Sequence, residues 1–435
     1  MPTPTLLPDA PPQPARAARP ANAARPANAA QPATAAQPAR ATLTRAALLL
    51  GAALLLLALP ACGDDDGPAA RSADELFVPG PLGVGHREVS ITYTPIGSES
   101  ERTLAARVWY PAPADATGSP ASYAVGGIVR LTPELALDDV APAPGGPYPL
   151  VVYSHGNGGD ALLAYPFAEY FASRGWVTVS MDHTGNTALD LIGSGSLARA
   201  VVALLRPQDV SAAIDAAAAG LGEADLVGLI DTDRVFLFGH SFGAYTTLVV
   251  GGASLDFDAL AADCPEDDGD CAWFDSEPLE QAVRAGALAD ERVVAIAPQA
   301  PAASRYFVND GYASIDLPVL LQSALRDATT THEAETVPVW SSLDGEDDLW
   351  VEMPDGGHFS FITICHDLQP SVLALFQPDA VNDGCGEDFI DSEDAVELLR
   401  AYLIAFAERH VLGDAGWDAV LSGPALDARL ELYRP

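Results

Sequence analysis

The chain has 435 residues, with 60 acidic side chains against 22 from arginine and lysine, all 22 of them arginine, and a formal net charge of −38. A surface this acidic repels nucleic-acid phosphates and anionic lipid headgroups, which excludes nucleic-acid binding and electrostatic recruitment to membranes. Hydrophobic residues make up 49% of the chain, ample for a core and too many for a disordered protein.

Residues 1–42 repeat units such as ARPANAA and QPATAA, a low-complexity composition that builds no core and reads as disordered. Thr44-Arg45 then leads into the apolar run Ala46–Ala61 and Cys62. The run falls short of the roughly 20 residues that a membrane-spanning helix needs. A positive residue, a short apolar stretch and a small-residue end fit a secretory signal. Leu59-Pro60-Ala61-Cys62 resembles a bacterial lipoprotein box, which implies a lipid on Cys62; a plain cleaved signal and a retained anchor helix are the alternatives. The expected organisation is a leader over 1–61, a tether over 62–80, and a single domain over 81–435.

Within that domain, Glu88–Thr94 alternates as a strand and Arg102–Tyr110 reads as a second, closed by Pro111. A Pro-, Gly- and Ala-rich loop is expected over 111–147. Pro149–Ser154 is a continuous apolar run, the pattern of a strand buried on both faces, and Trp176–Met181 reads as another buried strand. Between them, Leu162–Arg174 has helical spacing and stops at Gly175. Leu197–Ala219 reads as an alanine-rich helix that Pro207 threatens to interrupt. Val235–Phe238 is the next strand, running through Gly239-His240-Ser241-Phe242-Gly243 into the helical stretch Ala244–Val250. An acidic insertion covers about 253–290. Arg292–Ala297, Leu317–Ser323 and Asp348–Met353 are three further strands, a second insertion covers about 362–392, and Glu393–His410 is a closing amphipathic helix. Buried strands alternating with helices predict an α/β fold: a mostly parallel central sheet with helices on both faces.

Strand, tight turn and helix around Gly-x-Ser-x-Gly form the context of a nucleophile elbow, which holds the serine strained and its Oγ exposed. In open α/β sheets, ligands sit beyond the carboxyl ends of the strands. The residues just after the later strands are therefore candidates. Asp327 follows Leu317–Ser323, and His358 follows Asp348–Met353. The order Ser241, Asp327, His358 is the one expected on this architecture. A serine hydroxyl needs a base, imidazole suits, and a carboxylate fixes the imidazole tautomer. Asp182, also at the end of a central strand, is the rival acid. Two backbone N–H groups must face the developing oxyanion. Phe242 supplies one; Asn157, in Ser154-His155-Gly156-Asn157-Gly158, is the choice for the other, with Gly158 second.

With these residues placed, the chain resembles the dienelactone-hydrolase-like and platelet-activating-factor-acetylhydrolase-like group of α/β-hydrolases. The resemblance is carried by RVWYPAP (107–113), VVYSHGNGG (151–159), DHTGNT (182–187), GHSFGAYT (239–246), the strand leading to Arg326-Asp327, and GGHFSF (356–361). It implies an ester hydrolase with a triad at Ser241, His358 and Asp327 and oxyanion donors at Asn157 and Phe242, using no cofactor and no metal. Ala244 stands where a third glycine is common. The nucleophile is serine where dienelactone hydrolases proper use cysteine, so their substrate is not carried over.

Apart from Cys62, four cysteines remain, an even number in a chain read as exported, which predicts disulfides. Proximity favours Cys264–Cys271 with Cys365–Cys385. The expected activity is hydrolysis of a small-molecule or lipid-like ester through an acyl-enzyme, by a protein attached to the membrane only through a lipid. An acyltransferase and a non-catalytic cell-surface binding protein on the same scaffold are the alternatives.

Overall fold

The computed structural model describes residues 69–435 apart from 126–128, 132, 266, 370–372 and 374–378. The expected leader, Cys62 and the start of the tether lie outside the described residues. Ten described strands form one sheet. In chain order they are β1 (Gly83–Tyr93), β2 (Arg102–Ala112), β3 (Ala136–Asp138), β4 (Tyr148–Ser154), β5 (Val177–Met181), β6 (Ile230–His240), β7 (Val293–Gln299), β8 (Leu320–Ala324), β9 (Leu349–Met353) and β10 (Glu431–Tyr433). Their spatial order is β10-β9-β8-β7-β6-β4-β5-β2-β1-β3. The six strands from β9 to β5 are mutually parallel. At the borders, β10 runs antiparallel to β9, and β2 antiparallel to both β5 and β1.

Every residue of β5, β8 and β9 is buried, because helices cover both sides of the sheet. The four main helices are α1 (Tyr165–Ser173), α2 (Arg199–Ala218), α3 (Phe242–Val250) and α4 (Ser392–His410). Successive residues of a strand point to opposite faces. Leu150 and Val152 of β4 therefore pack with Val202, Tyr245 and Leu248 of α2 and α3. Val151 and Tyr153 pack on the other face with Phe167, Phe171, Tyr402 and Phe406 of α1 and α4.

Pro207 does not break α2. A proline removes one helical N–H and frees the carbonyl four residues earlier. Here the Tyr245 hydroxyl of α3 donates to that carbonyl, on Ala203, at 3.3 Å.

Two details differ from the sequence reading. The expected loop over 111–147 holds β3, which pairs parallel with β1 over three residues, and a short hairpin of Tyr123–Val125 with Val129–Leu131. Strands of three residues are too short to show a period. The expected tether ends earlier than residue 80. Ala73–Phe77 forms a 3₁₀ turn capped by Ser72, Leu76 is fully buried, and Arg71 pairs with Asp414 at 2.9 Å. The acidic insertion carries helices Phe257–Ala262 and Glu277–Arg284 and a 3₁₀ turn over Gly269–Asp275. Cys264 pairs with Cys271 and Cys365 with Cys385.

Candidate active site

Ser241 stands between β6 and α3, at φ 58° and ψ −118°. Backbone in this sparsely populated region costs about 1–3 kcal/mol and persists only where its surroundings hold it. The hold is visible: the Ser241 N–H donates to the Gln299 carbonyl at 2.9 Å, at the end of β7. Gln299 and Gln322 are fully buried, and Gln299 Nε2 donates to Gln322 Oε1 at 2.7 Å. The flanking glycines are steric necessities. A Cβ on Gly239 would stand 2.6 Å from the carbonyl oxygens of Gly243 and Ser154, and one on Gly243 would overlap the Ser154 oxygen outright. The end of β4, the end of β6 and the start of α3 thus meet with bare backbone between them.

The three residues separated in sequence converge here. His358 Nε2 lies 3.0 Å from Ser241 Oγ, and His358 Nδ1 lies 2.8 Å from Asp327 Oδ2. With Nδ1–H donating to the carboxylate, Nε2 is free to accept the serine proton. All three are buried, yet Ser241 keeps 8% of its surface exposed. Thr330 locks the acid: its N–H donates to Asp327 Oδ1 at 2.6 Å and its hydroxyl to Oδ2 at 2.7 Å. The His240 ring packs tilted against the His358 ring, centroids 4.8 Å apart, and lies with Nε2 2.9 Å from the His358 carbonyl oxygen. Burial, with the neighbouring His358 as a lesser cause, depresses His240 to about 3, so it remains neutral and donates this bond. The rival Asp182 points elsewhere. Its carboxylate accepts the Ala161 N–H at 2.7 Å and faces a cavity lined by Glu88, Arg107 and Glu223.

The loop after β4 lies against the serine, since a Cβ on Gly156 would sit 3.2 Å from Ser241 Cβ. The Gly158 N–H is engaged, donating to the Asn186 carbonyl at 3.0 Å, so the second-choice oxyanion donor falls away. Among the described residues, no protein acceptor takes the N–H of Asn157 or of Phe242.

No family model matches this sequence, and no curated protein matches it either. The fold is matched by many solved chains. One is a ferulic acid esterase from Streptomyces cinnamoneus, with a TM-score of 0.58 and 20% sequence identity, covering 82% of this chain and 98% of that one. The chain has the α/β-hydrolase fold.

Sequence reasoning missed the residues that hold the loop after β4. Arg206 of α2 is fully buried beneath it. Its guanidinium donates to the His155 carbonyl, to Ser154 Oγ at 3.2 Å, to Thr246 Oγ1 at 3.0 Å and to Asn186 Oδ1 at 2.7 Å. It also lies 4.9 Å from the centre of the Phe242 ring. Asn186 in turn donates to Asn157 Oδ1 at 2.8 Å. Burial pushes Arg206 down to about 9, which leaves it charged at neutral pH. The signal in the sequence is an arginine inside the apolar run VVALLRP, a charge that a buried helix face retains only with partners.

The same network contains a second chain of serine, histidine and aspartate. Ser154 Oγ lies 2.9 Å from His183 Nε2, and His183 Nδ1 lies 2.8 Å from Asp209 Oδ2. All three are completely buried. Asp209 also accepts from Arg102 Nε at 2.7 Å and from the Tyr93 hydroxyl at 2.6 Å. Burial, with Arg206 as the next cause, lowers His183 to about 3.

Proposed function

We propose that this protein is a serine hydrolase of carboxylic esters. The reading is carried by one observation: the Oγ of Ser241, a residue on strained backbone, stands 3.0 Å from an imidazole whose other nitrogen is held by Asp327. The reaction begins as Ser241 Oγ attacks the ester carbonyl carbon while His358 Nε2 takes the hydroxyl proton. The developing oxyanion is held by the N–H groups of Asn157 and Phe242; a donor of this kind typically contributes about 10²–10³ in rate. His358 returns the proton to the leaving alcohol, and water hydrolyses the acyl-enzyme by the same steps. Asp327 keeps Nδ1 protonated and stabilises the imidazolium. Ester chemistry is also the activity named for the structural neighbour, the ferulic acid esterase.

The substrate class is a small-molecule or lipid-like ester. The location we propose is outside the cytoplasm, with the chain held to the membrane by a lipid on Cys62. Two disulfides suit an oxidising compartment. A chromogenic short-chain ester tests the activity: wild type hydrolyses it and Ser241→Ala does not, and equal background rates in both discard the enzyme reading. A Cys62→Ala variant is expected to leave the membrane fraction; continued partitioning with membranes rules out lipidation there.

A further inference from the structure

We infer that Asp383, in the second insertion, is a positioning residue that locks the proposed acid and base loops to each other. The inference rests on the catalytic reading of Ser241, His358 and Asp327. These loops leave adjacent parallel strands, β8 and β9, and the sheet fixes only their starting points. Beyond the sheet, one carboxylate joins them. Asp383 Oδ1 accepts the N–H of Ala328, next to the acid, at 3.0 Å, and the N–H of His358 itself at 2.9 Å. Its Oδ2 accepts the Thr329 hydroxyl at 2.7 Å, and its own carbonyl accepts the Phe359 N–H at 2.8 Å.

Asp383 is 3% exposed and its bond to the His358 N–H is buried, while those to Ala328 and Thr329 are part-buried; bonds between a buried carboxylate and N–H groups are strong and a lost partner is costly. The two backbones also approach closely. A Cβ on Gly357 would lie 2.5 Å from the Asp383 carbonyl carbon, and one on Gly384, where φ is +126°, would lie 2.7 Å from the Ser360 nitrogen. Two residues beyond Asp383, the Cys365–Cys385 disulfide ties this segment back to the chain that follows His358. Asp383 touches neither the imidazole ring nor the place of a substrate. It acts by holding His358 and Asp327 in register, and a displacement of about 1 Å in such a constellation can cost on the order of 10² in rate.

The test reads Ser241 reactivity without assuming an ester. Phenylmethylsulfonyl fluoride sulfonylates an activated serine: the Oγ–S bond forms, the S–F bond breaks, and the proton passes to the base as fluoride leaves. The labelling rate at Ser241 is followed by mass spectrometry, with the folded fraction measured by circular dichroism. Asp383→Ala is expected to slow labelling about 100-fold per folded molecule. Asp383→Asn is expected to stay within about fivefold of wild type, because its Oδ1 keeps both N–H bonds and its amide faces a hydroxyl that can turn to accept. Wild-type labelling in Asp383→Ala, or an asparagine variant as slow as the alanine one, overturns the inference while the proposed function stands. A wild-type Ser241 that does not label at all overturns the catalytic reading and the inference with it. Hydrolysis of the chromogenic ester by the same variants should follow the labelling, through kcat with KM moving less than threefold.

Discussion

Two hydrogen-bonded chains of serine, histidine and aspartate lie in this molecule, their serines at the ends of neighbouring strands, and only one has the geometry that the proposed function requires. In the sealed chain, Ser154, His183 and Asp209 are wholly buried, and Arg206 donates to the serine oxygen. In the other, Ser241, 8% exposed, stands on a strained turn beside two N–H groups that no protein acceptor takes among the described residues. The residue types and their connection are the same. What differs is burial, backbone strain and the two N–H groups alongside, and under the proposed function these set Ser241 apart as the nucleophile. The sealed chain belongs to the hydrogen-bond network that holds the loop carrying Asn157.

The comparison is broken most directly at the two serines. Ser241→Ala should lower ester hydrolysis by about 10⁴-fold or more. Ser154→Ala should leave kcat within about threefold of wild type and cost stability of about 1–3 kcal/mol, the range for an unpaired buried group. Steady-state kinetics and urea unfolding on both variants check this, and a dead Ser154→Ala enzyme that folds normally contradicts it.

Arg206→Met comes next. It leaves the His155 carbonyl, Asn186 Oδ1 and Ser154 without their shared donor. We expect a loss of about 3–5 kcal/mol, as for breaking a buried charged network, in denaturant unfolding. A loss under 1 kcal/mol would show that the network does not support the oxyanion side.

The acid and base side is braced covalently. A double Cys365→Ser, Cys385→Ser variant should lose about 3 kcal/mol, given the sequence separation of 20 that the bond closes. The corresponding Cys264/Cys271 variant, with a separation of 7, should lose about 2 kcal/mol and keep its kcat. The first variant, unlike the second, should also lose kcat, since its bond anchors the segment holding His358.

The smallest effect is one of pH. His183, held at about 3 by burial against an ordinary 6.5, contributes stability only while neutral. That contribution is complete above pH 6.5 and is lost as pH falls toward 3. The stability difference between wild type and His183→Asn should therefore narrow on acidification, by at most about 1.4 kcal/mol per pH unit. Urea unfolding of both at pH 7 and pH 5 measures it; a difference that does not move with pH removes the claim that His183 is kept neutral.

The parallel strands, the elbow around Ser241 and the positions of Asp327 and His358 were legible in the sequence, because each is a local pattern. A strand buried on both faces is mostly apolar, as Leu150–Tyr153 and Val235–Phe238 are, and a serine between touching backbones must be flanked by glycine. The order of elements then fixes which strand ends lie together. Length limits this legibility, as β3 and the Ala73–Phe77 turn show: they are too short to carry a period. Asp383, Arg206 and Asn186 fall outside it for another reason. Their importance comes from hydrogen bonds to residues far away in the chain, and a single polar side chain bears no mark of the partner it will meet. Only the tertiary structure decided that Asp209 would be sealed and Asp327 would face His358 beside the Ser241 hydroxyl, because burial and direction are properties of the packed chain.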